Sequence, residues 1–120
     1  MVIAAGCGVS PTASDPPSVI KSFHDAINTK NVDAAMALVA DDAVFSHIQP
    51  AGATFTGKAQ IRTFVQNMVD QSIRIEPTNV QASGDTVTYD GKVTHFGTET
   101  AIRHIEANLQ GGKIKSFTNK

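Results

Sequence analysis

Three glycine-bearing breaks, Ser83-Gly84-Asp85, Gly97-Thr98 and Gly111-Gly112, cut the second half of the chain into segments rich in alternating Thr, Val and Ile. A period of two puts successive side chains on opposite faces of a pleated strand, and breaks this short join strands as antiparallel hairpins. The pattern predicts four consecutive strands at roughly residues 73–82, 86–96, 99–110 and 113–119. Asp90-Gly91, inside the second of them, reads as a bulge.

The first half supplies the cover for one face of that meander. Ser18 reads as a helix cap, and Ile20, Phe23 and Ile27 then recur at helical steps until about Asn28. Asn31 is the next cap, with Val32, Ala35, Met36 and Val39 on one face until Asp41-Asp42 stops the pattern. Residues 43–49 read as a strand with Phe45 and His47 on one side and Val44, Ser46 and Ile48 on the other. Residues 50–57 read as a loop, and Ile61, Phe64, Val65 and Met68 mark a third, strongly amphipathic helix. Three helices followed by a meander give an α+β fold, with the helices on one face of a curved, mostly antiparallel sheet.

At 120 residues, 41% hydrophobic and 18% charged, the chain is one domain large enough to bury a core or line a pocket. A net charge of -1 gives no field to gather phosphate backbones, so nucleic acid is not an expected partner. No apolar run reaches the ~18 residues of a membrane-spanning helix. Residues 1–17 differ from the rest: small and polar, with Pro11, Pro16 and Pro17, they read as an extended tether before a domain at 18–120. Within the tether, Ala4-Ala5-Gly6-Cys7 resembles a bacterial lipobox, although only Met1, Val2 and Ile3 stand before it. That resemblance implies lipidation of Cys7 and an extracytoplasmic domain held to a bacterial membrane by its lipid anchor alone. The other reading is an ordinary terminus with a chance cysteine on a cytoplasmic protein.

The order of a helix, "NTKNVDAAMALVADDAVFSH", "FTGKAQIRTFV" and strands closing on "GGKIKSF" resembles the nuclear transport factor 2-like superfamily over residues 19–120. More narrowly, it is similar to the SnoaL-like branch that includes polyketide cyclases and ketosteroid isomerase. The resemblance implies a cone whose open end is a pocket for a small, partly apolar molecule, and homodimers through the outer sheet face, here marked by Ile102, His104 and Glu106. Because such folds host enzymes, carriers and assembly modules alike, fold alone settles no function.

His47, on the side of Phe45, is the first candidate for chemistry. In the resemblance it falls where ketosteroid isomerase carries its proton-shuttling aspartate, and a histidine can move a proton near neutral pH. The alternative is a pocket-lining histidine bonded to a neighbour. Phe23 falls where that enzyme has a hydroxyl donor and offers none. Arg103 falls near a third site and shares an apolar face with Glu99, Ala101, Ile105, Ala107 and Leu109. Such an inward arginine needs an anion, which is either a ligand or an internal acid, Glu99 or another. Tyr89 and His95 share a face with Val87 and Val93, so both line the pocket if Gly91 leaves the register unshifted; His24 reads as solvent-facing. The expected catalytic pair is thus His47 as general base and Arg103 as anion stabiliser, in an isomerase, cyclase or dehydratase, with Phe23, Phe45, Tyr89 and His95 around the ligand. The competing expectation is a non-catalytic binding or interaction module on the lipid anchor. No histidine or cysteine spacing fits a metal, and no motif calls for a cofactor or a covalent nucleophile.

Overall fold

Pro16 and Pro17 begin the first helix, α1 (Pro16–Asn28), where the missing prolyl N–H groups cost nothing because the first amides of a helix have no partner within it. The computed structural model describes residues 15–48 and 52–119; the lipobox-like segment with Cys7 lies outside them. Helix α1 therefore starts ahead of Ser18, whose hydroxyl donates to Asp15 at 3.4 Å and does not cap the helix. Asn31 does cap α2 (Val32–Met36), accepting from the Ala34 N–H at 3.1 Å. Helix α3 spans Lys58–Asp70 and buries Ile61, Val65 and Met68, as its periodicity predicts.

Six strands follow the chain as β1 (Val39–Ile48), β2 (Ala53–Thr56), β3 (Ile73–Ser83), β4 (Thr86–His95), β5 (Thr98–Gln110) and β6 (Lys113–Asn119). They form one sheet in the order β2-β1-β6-β5-β4-β3, antiparallel except for the β1–β6 pair. The meander has the predicted hairpins. Two departures lie in the first half. Strand β1 starts at Val39, so the Asp41-Asp42 pair sits exposed on a strand, facing Lys58 and Lys115, and ends no helix. Part of the segment read as a loop is strand β2, which pairs antiparallel with β1.

Register shifts interrupt all five strand pairings, the one between β5 and β6 falling at Asn108 and Leu109. In β1 the shift falls between Phe45 and Ile48, with His47 at a φ of 54°. In β3 it falls between Thr78 and Gln81, where Asn79 has a φ of 52° and donates to Asp90 at 2.9 Å. In β5 it inserts Thr100, since Val93 pairs with Ala101 but Thr94 pairs with Glu99; a fourth shift lies between Val39 and Val44, opposite β6. Each extra residue bends and twists its strand, which curves the sheet around the helices. The bulge expected at Asp90-Gly91 is therefore on the opposite strand, β3, and β4 runs through Gly91 in register with β5.

The core lies between the helices and the inner sheet face, with Val19, Ile20, Phe23 and Ile27 of α1 against Phe45, Val87, Ile105, Ala107 and Phe117. Asn28 closes the end of α1 onto β3, donating to the Ile75 carbonyl at 3.0 Å and accepting from the Ile75 N–H at 3.1 Å. On the outer face, Ile102 is 57% exposed, and the neighbouring His104 is hydrogen-bonded to Asp90.

Gly91 is buried, and a methyl group at its Cα would stand 2.9 Å from both Ile105 Cδ1 and Ile75 Cγ2. The Ile75 Cγ2 methyl moves only if the stiff, β-branched χ1 rotates. We predict that Gly91→Ala lowers stability by about 1 kcal/mol, overpacking outweighing the entropy removed from the unfolded chain. Urea unfolding measures this, and an unchanged or raised midpoint would mean that the two isoleucines yield freely.

Candidate functional site

Helix α3 and the inner face of the sheet enclose a cavity of about 430 Å³, within the size range of small-molecule sites. Its apolar wall is Phe64 and Met68 from α3, Ile48 from β1, Ile73 and Ile75 from β3, Val93 from β4, Ala101 and Ile105 from β5, and Phe117 from β6. Its polar groups are Gln71, His95, Thr100, Arg103 and Asn119. Among the described residues, no acid lines it.

Arg103 and His95 are the two sequence candidates that the cavity brings together. Arg103 is inward-facing, as its strand alternation predicts, and lies across β4 from Gly91, so no side chain stands opposite it in that pair. Glu99, the internal partner considered for it, is elsewhere. The inserted Thr100 shifts the alternation by one residue, turning Glu99 outward to Lys92 at 3.6 Å and bringing Thr100 to the cavity wall. Among the described residues Arg103 has no ion pair and no side-chain hydrogen bond. His95 ends β4, its ring stacked on Phe96 with centroids 4.5 Å apart. Its Nε2 is shielded from solvent and has no hydrogen-bond partner among the described residues.

His47 is in another place. Simple alternation from Phe45 puts it inside, but the β1 bulge inserts one residue, so Ile48 takes the inward position and His47 is exposed, outside the cavity wall. Phe23, Phe45 and Tyr89, the other expected ligand contacts, form core beneath the cavity and do not line it. Phe45 and Phe117 stack at 4.8 Å, and Phe23 meets Phe45 edge-on at 6.0 Å.

His24 is 1% exposed, which overturns its reading as a surface residue. It falls four residues after Ile20 and three before Ile27, within the apolar stripe of α1. Its Nε2 lies 2.7 Å from the Tyr89 hydroxyl, while its Nδ1 has no partner among the described residues. Burial pushes the His24 pKa down to about 4, with the charge of Asp25 opposing the shift weakly, and burial pushes Tyr89 well above its usual value. The pair is therefore neutral near pH 7. Phe117 packs against both rings, at 6.1 and 6.5 Å, and is itself part of the cavity wall.

Sequence reasoning missed the polar wall formed by Gln71, Thr100 and Asn119. Only Thr100 had a usable signal, as the middle of Glu99-Thr100-Ala101 beside a hairpin, where an inserted residue is easily accommodated. Among the described residues no group of three His, Cys, Asp or Glu side chains could hold a metal ion.

A family model described as a SnoaL-like domain matches residues 20–116. No curated protein matches the chain. Among solved structures, the chain is similar to a candidate polyketide cyclase from Sinorhizobium meliloti, at 23% identity, with 90% of this chain and 98% of that one covered and a TM-score of 0.74. A candidate ketosteroid isomerase from Kribbella flavida is 19% identical over 85% of this chain and 73% of its own, at a TM-score of 0.73. A protein with a ketosteroid isomerase-like fold from Catenulispora acidiphila, in complex with trimethylamine, is 22% identical over 87% and 85%, at 0.71. At these identities the likeness concerns the fold.

The buried His24 makes stability depend on pH in a stated direction. Its folded pKa of about 4 is below the unfolded value of 6.5, so between them the unfolded chain binds a proton that the folded chain does not. Its full contribution is present above pH 6.5 and is lost as pH falls toward 4, amounting to about 2 kcal/mol between pH 7 and 5. Denaturant unfolding across that interval should show the loss. The double variant His24→Leu with Tyr89→Phe, which removes both polar partners together, should flatten it; an equally steep slope in that variant would assign the dependence to other groups.

Proposed function

We propose that this chain, which belongs to the SnoaL-like domain family, holds a small, partly apolar molecule in the cavity between α3 and the sheet. The observation that carries this reading is the cavity's lining: a mostly apolar wall with five polar side chains, among which the Arg103 guanidinium and the His95 Nε2 have no hydrogen-bond or ion-pair partner among the described residues. Polar groups set into an otherwise apolar wall are what orient a ligand in such sites.

The binding role is preferred to proton-transfer catalysis. A base at His47 would act from outside the cavity wall, and among the described residues the wall holds one histidine but no Asp, Glu, Cys, Tyr or Lys to complete an acid and base pair. In an isomerase or cyclase reading, the proton carrier would be His95, with Arg103 steadying the anion.

Thermal unfolding of the domain with a panel of small carbonyl acids tests the binding reading. A ligand that raises the midpoint of the parent should do so by the same amount in His47→Ala, whose side chain is exposed and outside the cavity wall. It should fail to shift Arg103→Ala. Loss of the shift in His47→Ala alone would restore His47 to the site.

No described helix is long and apolar enough to cross a membrane, and in this reading the anchor is Cys7. A cell-expressed chain should take up a fatty-acid label and Cys7→Ser should not; label on the serine variant would remove the anchor.

A further inference from the structure

We propose, resting on the pocket reading above, that the occupant of the cavity is an organic anion: a carboxylate or similar oxyanion carried on an apolar ring or chain. Arg103 is always charged, and its planar fork of donors matches the two oxygens of a carboxylate. It sits in a wall that, among the described residues, contains no acid, and the other acids are either engaged or outside it. Asp33 meets Arg62, Asp42 meets Lys115, and Asp90 meets His104 and Asn79. Glu99, the acid closest to Arg103 along β5 toward the hairpin, is turned out by the bulge at Thr100 and lies 3.6 Å from Lys92.

The cavity thus carries a positive charge with no internal neutralising group, and a neutral or cationic occupant would leave that charge unpaired on an apolar surface. His95 lies four residues along β4 from Gly91, the register partner of Arg103, about 13 Å of strand, and puts a second polar side chain in the wall toward the hairpin end. Between the two positions the wall is Val93 and Ala101. The ligand therefore has its charge at one point and an apolar body with one further polar group along its length.

Two fluorescent probes that differ by one sulfonate separate this inference from the pocket reading. Phenylnaphthylamine is neutral, and anilinonaphthalene sulfonate carries the anion on the same rings. The full chain should bind both, the sulfonate at least about tenfold more tightly, and phenylbutyrate should displace it where phenylbutyramide does not. Arg103→Met, which keeps side-chain bulk, should weaken the sulfonate by about tenfold and leave the neutral probe within about twofold. Equal affinity for the two probes in the parent, or equal weakening of both in Arg103→Met, overturns the anion inference and leaves the pocket standing. Binding of neither probe overturns both. Because the comparison between probes, and between acid and amide, is made on the parent, it decides the matter even where Arg103→Met folds poorly.

Discussion

Phe117 holds this structure together. Its ring is 4% exposed and stacks on Phe45 at 4.8 Å, while Phe23, His24 and Tyr89 all approach it within 6.5 Å. It belongs to β6, the strand that pairs parallel with β1 on one side and antiparallel with β5 on the other. The two halves of the chain therefore meet at one residue: the α1 and β1 aromatics come from the first half and Tyr89 from the meander. Its cluster fills the bottom of the cone, and the ring also forms part of the cavity wall. The cavity begins where this aromatic packing stops.

Much of this architecture is legible in the amino-acid sequence, because the second half obeys one period. The hairpins at Gly84, Gly97 and Gly111-Gly112 set the strand ends, and the inward position of Arg103, Ile105, Ala107 and Leu109 follows from counting by twos. Helix α3 is legible for the same reason at period 3.6. Sequence counting fails where a strand carries an extra residue. A bulge at His47 reverses the expected facing of one candidate, and a bulge at Thr100 reverses that of Glu99, without any glycine or proline to announce either. The glycine that does resemble a bulge signal, Gly91, is there because Ile75 and Ile105 pack over its Cα. His24 misleads for a different reason: its polarity suggests the surface, whereas its place between Ile20 and Ile27 puts it in the stripe.

The two buried histidine nitrogens without partners have different surroundings. His24 has an aromatic cage and one hydroxyl, and burial keeps it neutral, so its role is structural and its unpartnered Nδ1 is tolerated as a cost to stability. His95 is a residue of the cavity wall, where its Nε2, shielded from solvent, has no partner among the described residues. Two unsatisfied nitrogens of the same kind thus differ in setting, one sealed in the aromatic core and one on a side chain that borders a cavity.

The bulge at Thr100 ties fold to chemistry. With an unbroken β5, Glu99 would share the inner face with Arg103 four residues on, placing a carboxylate on the same cavity wall and offsetting its charge. The inserted residue exports the acid to Lys92 on the outer surface, where an exposed pair contributes little to stability, and leaves the arginine alone inside. An arrangement selected for stability alone would favour the internal pair or an apolar residue at position 103, since a half-buried cation without a partner is less stable than either. The charge kept in the wall is thus best accounted for by an anion that arrives from solution.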